Sequence, residues 1–256
     1  TEQLGTGHAV MMAKEYINDN DTIVVLCGDT PLVKEETLKR LFDYHIEDGY
    51  HATVLTTTVD NPTGYGRIIR DENKDLLKIV EQKDANEEEK KAKEINSGIY
   101  CFNGKSLRES LDLLDNNNAQ GEYYLTDIIE ILKEEGNTVA AYQTDDFEES
   151  MGVNDRIALA KANEIMRKRI NQMHMVNGVS FVDSATTYID AGVEIGPDTL
   201  IEAGVQIQGN TVIGSDCVIG AHSKIVDSRI EDHVVIENSV IESSHVKKHA
   251  DVGPYA

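Results

Sequence analysis

The chain has 256 residues and carries 46 Asp and Glu against 24 Lys and Arg, a formal net charge of -22 spread over both halves. So acidic a surface repels phosphate backbones, which excludes nucleic acid as an expected partner. With 40% hydrophobic residues in 28.4 kDa the chain can bury one large or two ordinary cores, which excludes disorder and a small disulfide-stapled scaffold. The three cysteines, Cys27, Cys101 and Cys217, lie far apart in apolar runs, as reduced thiols of an intracellular protein do. No apolar stretch approaches the roughly 20 residues of a membrane span, and the first six residues lack a basic or apolar leader. The expectation is a soluble, cytoplasmic protein with no membrane partner.

In chain order, Thr22 to Cys27 is a short apolar run ending in Gly28-Asp29, which suits a strand buried on both faces of a parallel sheet. Helical spacing follows over 34–48, then a strand over 51–59 and the turn-rich 61–66. Two β runs, 66–70 and 76–83, flank the polar Asp71 to Asp75 and read as a hairpin. A charged helix is expected over 87–93, a strand over 95–102, and helices over 105–115 and 123–135. The pattern is α/β with a mostly parallel, Rossmann-like sheet.

From Asn154 to about Met175 strong helix formers run without proline or glycine, one long connecting helix. Beyond Gly178 the period changes to six. Ile189, Ile195, Ile201, Ile207, Ile213, Ile219 and Ile225 fall at six-residue steps, and small or β-branched residues from Val193 to Ser223 stand two places before the last six. That step fits one side of a triangular coil, the hexapeptide repeat of a parallel β-helix. Gly196, Gly204, Gly214 and Gly220 are expected at corners that need a permissive backbone. The slip after Ile225 to Ile230, Ile236, Ile241, Val246 and Val252 reads as wobble at the corners, and residues 189–252 as about three and a half coils. The expected organisation is a first domain over 1–153, a linker helix over 154–177 and a β-helix over 178–256.

Several polar residues stand where ligands collect. Asp29 lies just past the carboxyl end of a buried strand, the place where open α/β sheets bind ligands. A carboxylate there can hold Mg2+, or it can simply cap the following turn. Asn154 opens the long helix and suits an N-cap. Gly5 and Thr6 precede a helix, where free N–H groups and a hydroxyl can meet a nucleotide, or where Thr6 caps the helix. Gly66 permits close backbone approach to a sugar. Glu81 and Asn96, on separate strands, can bond sugar hydroxyls and an acetamido group, although a strand Glu is commonly just solvated. The His and Cys residues show no metal-ligand spacing, no acyl-enzyme motif appears, and no catalytic side chain is singled out.

Taken together, Gln3-Leu4-Gly5-Thr6-Gly7-His8-Ala9, Cys27-Gly28-Asp29-Thr30-Pro31-Leu32, Pro62 to Ile68, Ile79 to Asp84, Glu94 to Ile99 and Asn116 to Asp127 stand in an order that resembles one family. It is that of the bacterial bifunctional enzymes that acetylate glucosamine 1-phosphate and uridylylate the product to UDP-N-acetylglucosamine. The resemblance spans essentially the whole chain. It implies a nucleotidyltransferase α/β domain, a long helix and a left-handed β-helix that trimerises. It implies UTP and N-acetylglucosamine 1-phosphate as substrates, Mg2+ as cofactor, and acetyl-CoA as acetyl donor in the parent protein. It assigns Gly5, Thr6, Cys27, Gly28, Asp29, Gly66, Glu81, Asn96 and Asn154 to the uridine nucleotide or its sugar, Cys27 through its backbone, and gives Asp29 and Asn154 to the metal. The family's glycine-rich triphosphate loop and acetyltransferase residues have no counterpart here, so an interior fragment of a longer protein is expected. Two alternatives stay open: a pyrophosphorylase for another sugar nucleotide, and a trimerising scaffold without catalysis.

Overall fold

The computed structural model describes residues 3–256, which form two compact units, one ending at Asn154 and one running from Asp155 to Ala256. In the first unit α1 (Thr6–Met11), β1 (Thr22–Val25), α2 (Glu35–Glu47), β2 (Ala52–Thr58), β3 (Arg67–Arg70), β4 (Leu76–Val80), β5 (Glu94–Asn103), α3 (Gly104–Leu111), α4 (Asp127–Glu134) and β6 (Val139–Gln143) follow one another. The strands form one sheet in the order β4-β3-β5-β2-β6, with β1 also on β5. Leu107, Leu111, Ile128, Ile129 and Leu132 of α3 and α4 pack on one face, against Val54, Ile68 and Phe102. On the other face Leu41 of α2 meets Leu55, Ile99 and Cys101. The α/β expectation holds, and β2 is buried along nearly its whole length because helices cover both its faces.

The sheet is mixed rather than mostly parallel. Its ten-residue spine, β5, runs antiparallel to β1, β2 and β3, and β3–β4 is the expected antiparallel hairpin. Among the described strands of this sheet, only β2 and β6 pair in parallel. A parallel pair needs a long, usually helical crossover; α3 and α4 lie between β2 and β6, whereas the link from β4 to β5 holds only a 3-10 turn, Glu89–Lys91. That turn is all that forms of the charged helix expected over 87–93. Lys90 and Lys91 there pair with Glu87 and Glu88 on the surface.

The second unit begins with α5 (Arg156–Val176). Its N-cap is Asp155, whose Oδ1 accepts the Ala158 N–H at 2.7 Å, so the cap expected of Asn154 comes from its neighbour. Thirteen short strands, Ser180–Phe181 through Asp251–Val252, then stack in three parallel sheets of five, four and four. This makes four complete coils and one further side, more than the three and a half expected, because the later coils are shorter than eighteen residues and Ser180–Phe181 adds one more rung. Ile201, Ile207, Ile219, Ile225 and Ile236 are fully buried in the inner column, each worth roughly 1.5–3 kcal/mol.

The slip after Ile225 is a shortening of the coil. Along one face Ile195, Ile213, Ile230 and Val246 are paired in register although they lie eighteen, then seventeen, then sixteen residues apart. The rungs keep step and the corners lose residues. Buried hydroxyls satisfy the corner backbone: Thr199 donates to the Gly214 carbonyl at 2.9 Å and accepts the Cys217 N–H at 3.1 Å. Of the four glycines expected to supply permissive corners, only Gly204 is left-handed (φ +73°). At Gly196, Gly214 and Gly220 the reason is the next coil, whose atoms would lie 2.6, 2.4 and 2.7 Å from an added Cβ. Most left-handed corners are instead taken by Asp, His and Asn, among them Asp198, Asp216, His222, His233 and Asn238, the non-glycine residues that tolerate this region best.

Candidate functional site beside the beta-1 turn

In the first unit Thr6, Cys27, Glu81, Asn96, Tyr100 and Thr126 line a cavity of 250 Å³. α1 contributes Thr6, the turn after β1 contributes Cys27, the chain just past β4 contributes Glu81, and β5 contributes Asn96 and Tyr100. Gly66 is buried at the head of the hairpin, where an added Cβ would lie 3.5 Å from both Glu81 Oε1 and Asn96 Cβ. The Asn96 N–H bonds the Gly66 carbonyl at 3.0 Å, and Asn96 Oδ1 accepts the Gly98 N–H at 2.9 Å. The structure therefore brings Thr6, Cys27, Gly66, Glu81 and Asn96 together.

Burial pushes the Glu81 carboxyl above its ordinary range; a hydrogen bond from Thr126 Oγ1 at 3.4 Å opposes this, and the Asp84 charge adds to it. Burial, then the charge of Asp29, pushes the Cys27 thiol up, so the thiol is neutral and not a nucleophile. Its Sγ donates to the Gly98 carbonyl at 3.3 Å. Thr6 does not cap α1. Its hydroxyl oxygen accepts the Leu125 N–H at 3.1 Å, and the hydroxyl proton stays free to donate.

Asp29 and Asn154 form a second group. Both are exposed, and the Val153 N–H bonds the Asp29 carbonyl at 2.7 Å, tying together segments more than a hundred residues apart. Between them lies Gly152, where an added Cβ would be 3.3 Å from Asn154 Nδ2 and 3.7 Å from Asp29 Oδ2. A side chain at 152 would fill the space the two polar groups share. Because Asp155 caps α5, the Asn154 side chain is released from the helix. The Asp29 carboxylate and the Asn154 side-chain amide border this open cradle; a carboxylate with an amide whose oxygen can turn inward suits a hard cation that keeps most of its water. Among the described residues no group of three or more His, Cys, Asp or Glu is gathered in the manner of a self-sufficient metal site.

Gly5 and Gly28 stand apart from the cavity lining. Gly5 has φ +104° and its Cβ position lies 2.6 Å from the Tyr123 carbonyl, so packing and backbone geometry alone demand glycine. Gly28 is exposed, with nothing within 4 Å of an added Cβ.

Residues 1–160 match the family of nucleotidyl transferases, and residues 192–226 match the bacterial transferase hexapeptide of six repeats. The chain belongs to the nucleotidyl transferase family. Within it, the chain is 68% identical over 256 residues to the bifunctional protein GlmU of Clostridioides difficile (strain 630), covering all of this chain and 56% of that protein. It is 62% identical over 256 residues to GlmU of Enterococcus faecalis (strain ATCC 700802 / V583), again covering all of this chain and 56% of the relative. GlmU of Latilactobacillus sakei subsp. sakei (strain 23K) is 54% identical over 254 residues, 99% of this chain and 55% of that protein. The chain thus spans about half the length of the curated relatives it matches.

In this nucleotidyl transferase the sequence reading passed over Tyr100, Thr126, Asp127 and Gly152. Thr126 and Asp127 lie inside the stretch that carries the resemblance, and Gly152 stands two places before Asn154, but nothing local to them signals a ligand. Tyr100 is fully buried, and burial holds its phenol well above the ordinary range. The Asp127 carboxyl is raised to about 6, first by burial and then by the charges of Asp115, Glu130, Glu81 and Asp84.

Proposed function

We propose that the first unit carries out uridylyl transfer from UTP to N-acetylglucosamine 1-phosphate, giving UDP-N-acetylglucosamine and pyrophosphate. The observation that carries this reading is the meeting of the Cys27–Asp29 turn with Gly152–Asn154 through the Val153-to-Asp29 hydrogen bond of 2.7 Å, next to a cavity lined by Thr6, Glu81 and Asn96. The GlmU relatives support it over a pyrophosphorylase for another sugar nucleotide.

In this reading Glu81 accepts hydrogen bonds from sugar hydroxyls and Asn96 holds the acetamido group. Gly66 leaves room for the ring against the backbone. Thr6 donates its free hydroxyl proton to the nucleotide, and the Cys27–Gly28 backbone lines the approach. Asp29 and Asn154 hold Mg2+, which when bound offsets the charge that builds on the transferring phosphates. The sugar phosphate oxygen attacks the α-phosphorus and pyrophosphate leaves. The attacking phosphate is already ionised, so no side chain serves as general base, and catalysis rests on position and electrostatics.

The solenoid, in the same reading, opens the domain that transfers acetyl from acetyl-CoA to glucosamine 1-phosphate, and its faces assemble three chains. Sedimentation at about three times 28.4 kDa supports the trimer; a monomer refutes it. The transfer is tested by pyrophosphate release from UTP across a panel of sugar 1-phosphates, with a Mg2+ titration. Asp29→Asn removes a full charge from the ion and is expected to cut the rate roughly hundredfold or more and to raise the Mg2+ requirement. Asn154→Ala removes a neutral donor and is expected to do the same to a smaller degree. An unshifted Mg2+ dependence in Asp29→Asn refutes the metal assignment. Preference for another nucleotide or sugar refutes the substrate assignment.

A further inference from the structure

Glu149 is a carboxylate with 2% of its surface exposed, and nothing in the reading above uses it. A charge so buried persists only with strong partners. Its partners are on one residue, Lys34: Glu149 Oε2 accepts the Lys34 backbone N–H at 3.1 Å, and Oε1 lies 3.2 Å from Lys34 Nζ. The same Nζ donates to Asp146 Oδ2 at 2.5 Å. Those hydrogen bonds, the Asp146 one first, raise the Lys34 ammonium pKa, so it is charged throughout the working range.

The placement of these bonds along the chain is what gives them meaning. Lys34 is five residues after Asp29, and Glu149 is five residues before Asn154. The intervening segments, Thr30 to Val33 and Ser150 to Val153, are mostly irregular, with no sheet of their own to fix them. Two cross-links therefore bracket the cradle around Gly152: Val153 to Asp29 on the near side, and Lys34 to Glu149 on the far side. The Phe147–Ser150 turn that carries Glu149 is itself held by Asp146, whose Oδ1 accepts the Glu148 N–H at 3.0 Å. One ammonium thus reaches both Asp146 and Glu149, the two acidic groups that anchor the strand-to-helix passage ending in Asn154.

We propose that Glu149 and Lys34 are a positioning pair that sets the separation of Asp29 and Asn154 and so tunes divalent-cation affinity; this rests on the reading of Asp29 and Asn154 as the metal donors. Partners behind metal ligands commonly change affinity by 10–100-fold when removed. Glu149→Gln keeps the shape but loses the charge that holds Lys34 Nζ. Lys34→Met loses the ammonium and keeps the backbone N–H bond to Glu149.

The test is Mn2+ binding to the purified protein with UDP-N-acetylglucosamine present, read from the electron paramagnetic resonance of free Mn2+, beside a thermal melt. Asp29→Asn, Glu149→Gln and Lys34→Met are compared singly, and Glu149→Gln is combined with Asp29→Asn. The expected result is a rise in the Mn2+ Kd of about tenfold in Glu149→Gln, and a smaller rise of the same sign in Lys34→Met. The KM for N-acetylglucosamine 1-phosphate should stay within twofold in both. In the Asp29→Asn background Glu149→Gln should add less than twofold, because the pair acts through the geometry of that donor. If Asp29→Asn weakens Mn2+ while Glu149→Gln and Lys34→Met leave it unchanged, with or without a lowered melt, the positioning role is overturned. It is also overturned if the effects multiply in the double variant. If Asp29→Asn itself leaves Mn2+ binding unchanged, the donor assignment fails instead.

Discussion

Replacing Gly98 with alanine places a methyl group where the structure has no room for it. Gly98 has φ +79°, and its ideal Cβ lies 2.6 Å from Cys27 Sγ. Two costs add. A left-handed backbone with a side chain costs about 1–2 kcal/mol, and the overlap with sulfur, relieved only by displacing β5 or the turn after β1, costs about 1–3 kcal/mol. Gly98→Ala should therefore destabilise the first unit by about 2–5 kcal/mol, or about 4–20 °C in Tm for a unit of this size. Cys27→Ala alone removes one weak hydrogen bond, Sγ to the Gly98 carbonyl at 3.3 Å, and a small buried volume, for about 1 kcal/mol. In the double variant the overlap is gone while the backbone cost remains, so the two changes should couple by about 1–3 kcal/mol in the stabilising direction. Calorimetric melts of the four proteins measure this. Effects that add within about 0.5 kcal/mol would show that Gly98 is needed for its dihedral angle alone and that the sulfur contact is irrelevant.

Ile219→Ala should empty a fully buried position of the solenoid column and lower the melting of the second unit by about 2–5 kcal/mol, with the first unit's transition unmoved in the same calorimetric trace. Asp155→Ala should cost the second unit about 0.5–2 kcal/mol through loss of the α5 cap, whereas Asn154→Ala should leave its unfolding unchanged; the reverse order in urea titrations would return the cap to Asn154. Burial first, and then the surrounding acids, lift the Asp127 carboxyl from 3.8 to about 6. Between about pH 4 and 6 the folded protein thus keeps a proton that the unfolded chain has lost, and stability falls as pH rises through that window. Asp127→Asn should stabilise the first unit by about 1–3 kcal/mol at pH 7 and flatten its Tm profile from pH 4 to 6, and an unchanged profile would contradict the raised value.

The solenoid was legible because Ile189 to Ile225 repeat an inward position without interruption, and a periodic core needs no long-range information. What the six-residue step concealed was the closure of the later coils: Ile230 and Ile241 come five residues after the rung before them, and only the pairing of strands reveals that they remain in line. Strand direction in the first unit was less legible, since an apolar run such as Thr22 to Cys27 looks alike in a parallel or antiparallel neighbour. Val139 to Gln143 went unnoticed because it is short and weakly apolar. Of the candidate site, the residues that share a motif with a turn or strand end, Asp29, Gly66, Glu81 and Asn96, were visible. Gly98 was not, because its constraint is a sulfur atom 71 residues away in sequence. Asp155 and Asn154 are adjacent potential caps, and sequence alone does not choose between them.

The shortening coils separate two quantities that most folds keep together, distance along the chain and height within the stack. A rung is fixed by its neighbour below, whereas a corner only has to bridge two faces, and it does so with six residues between Ile213 and Ile219 and five between Ile225 and Ile230. Each corner is therefore a place where the gene can gain or lose codons without moving any buried isoleucine out of line. Insertions should accumulate there during descent, and loops grafted at Asp227 or Ser243, both left-handed and both on five-residue corners, should display a foreign segment while the tube behind it stays intact.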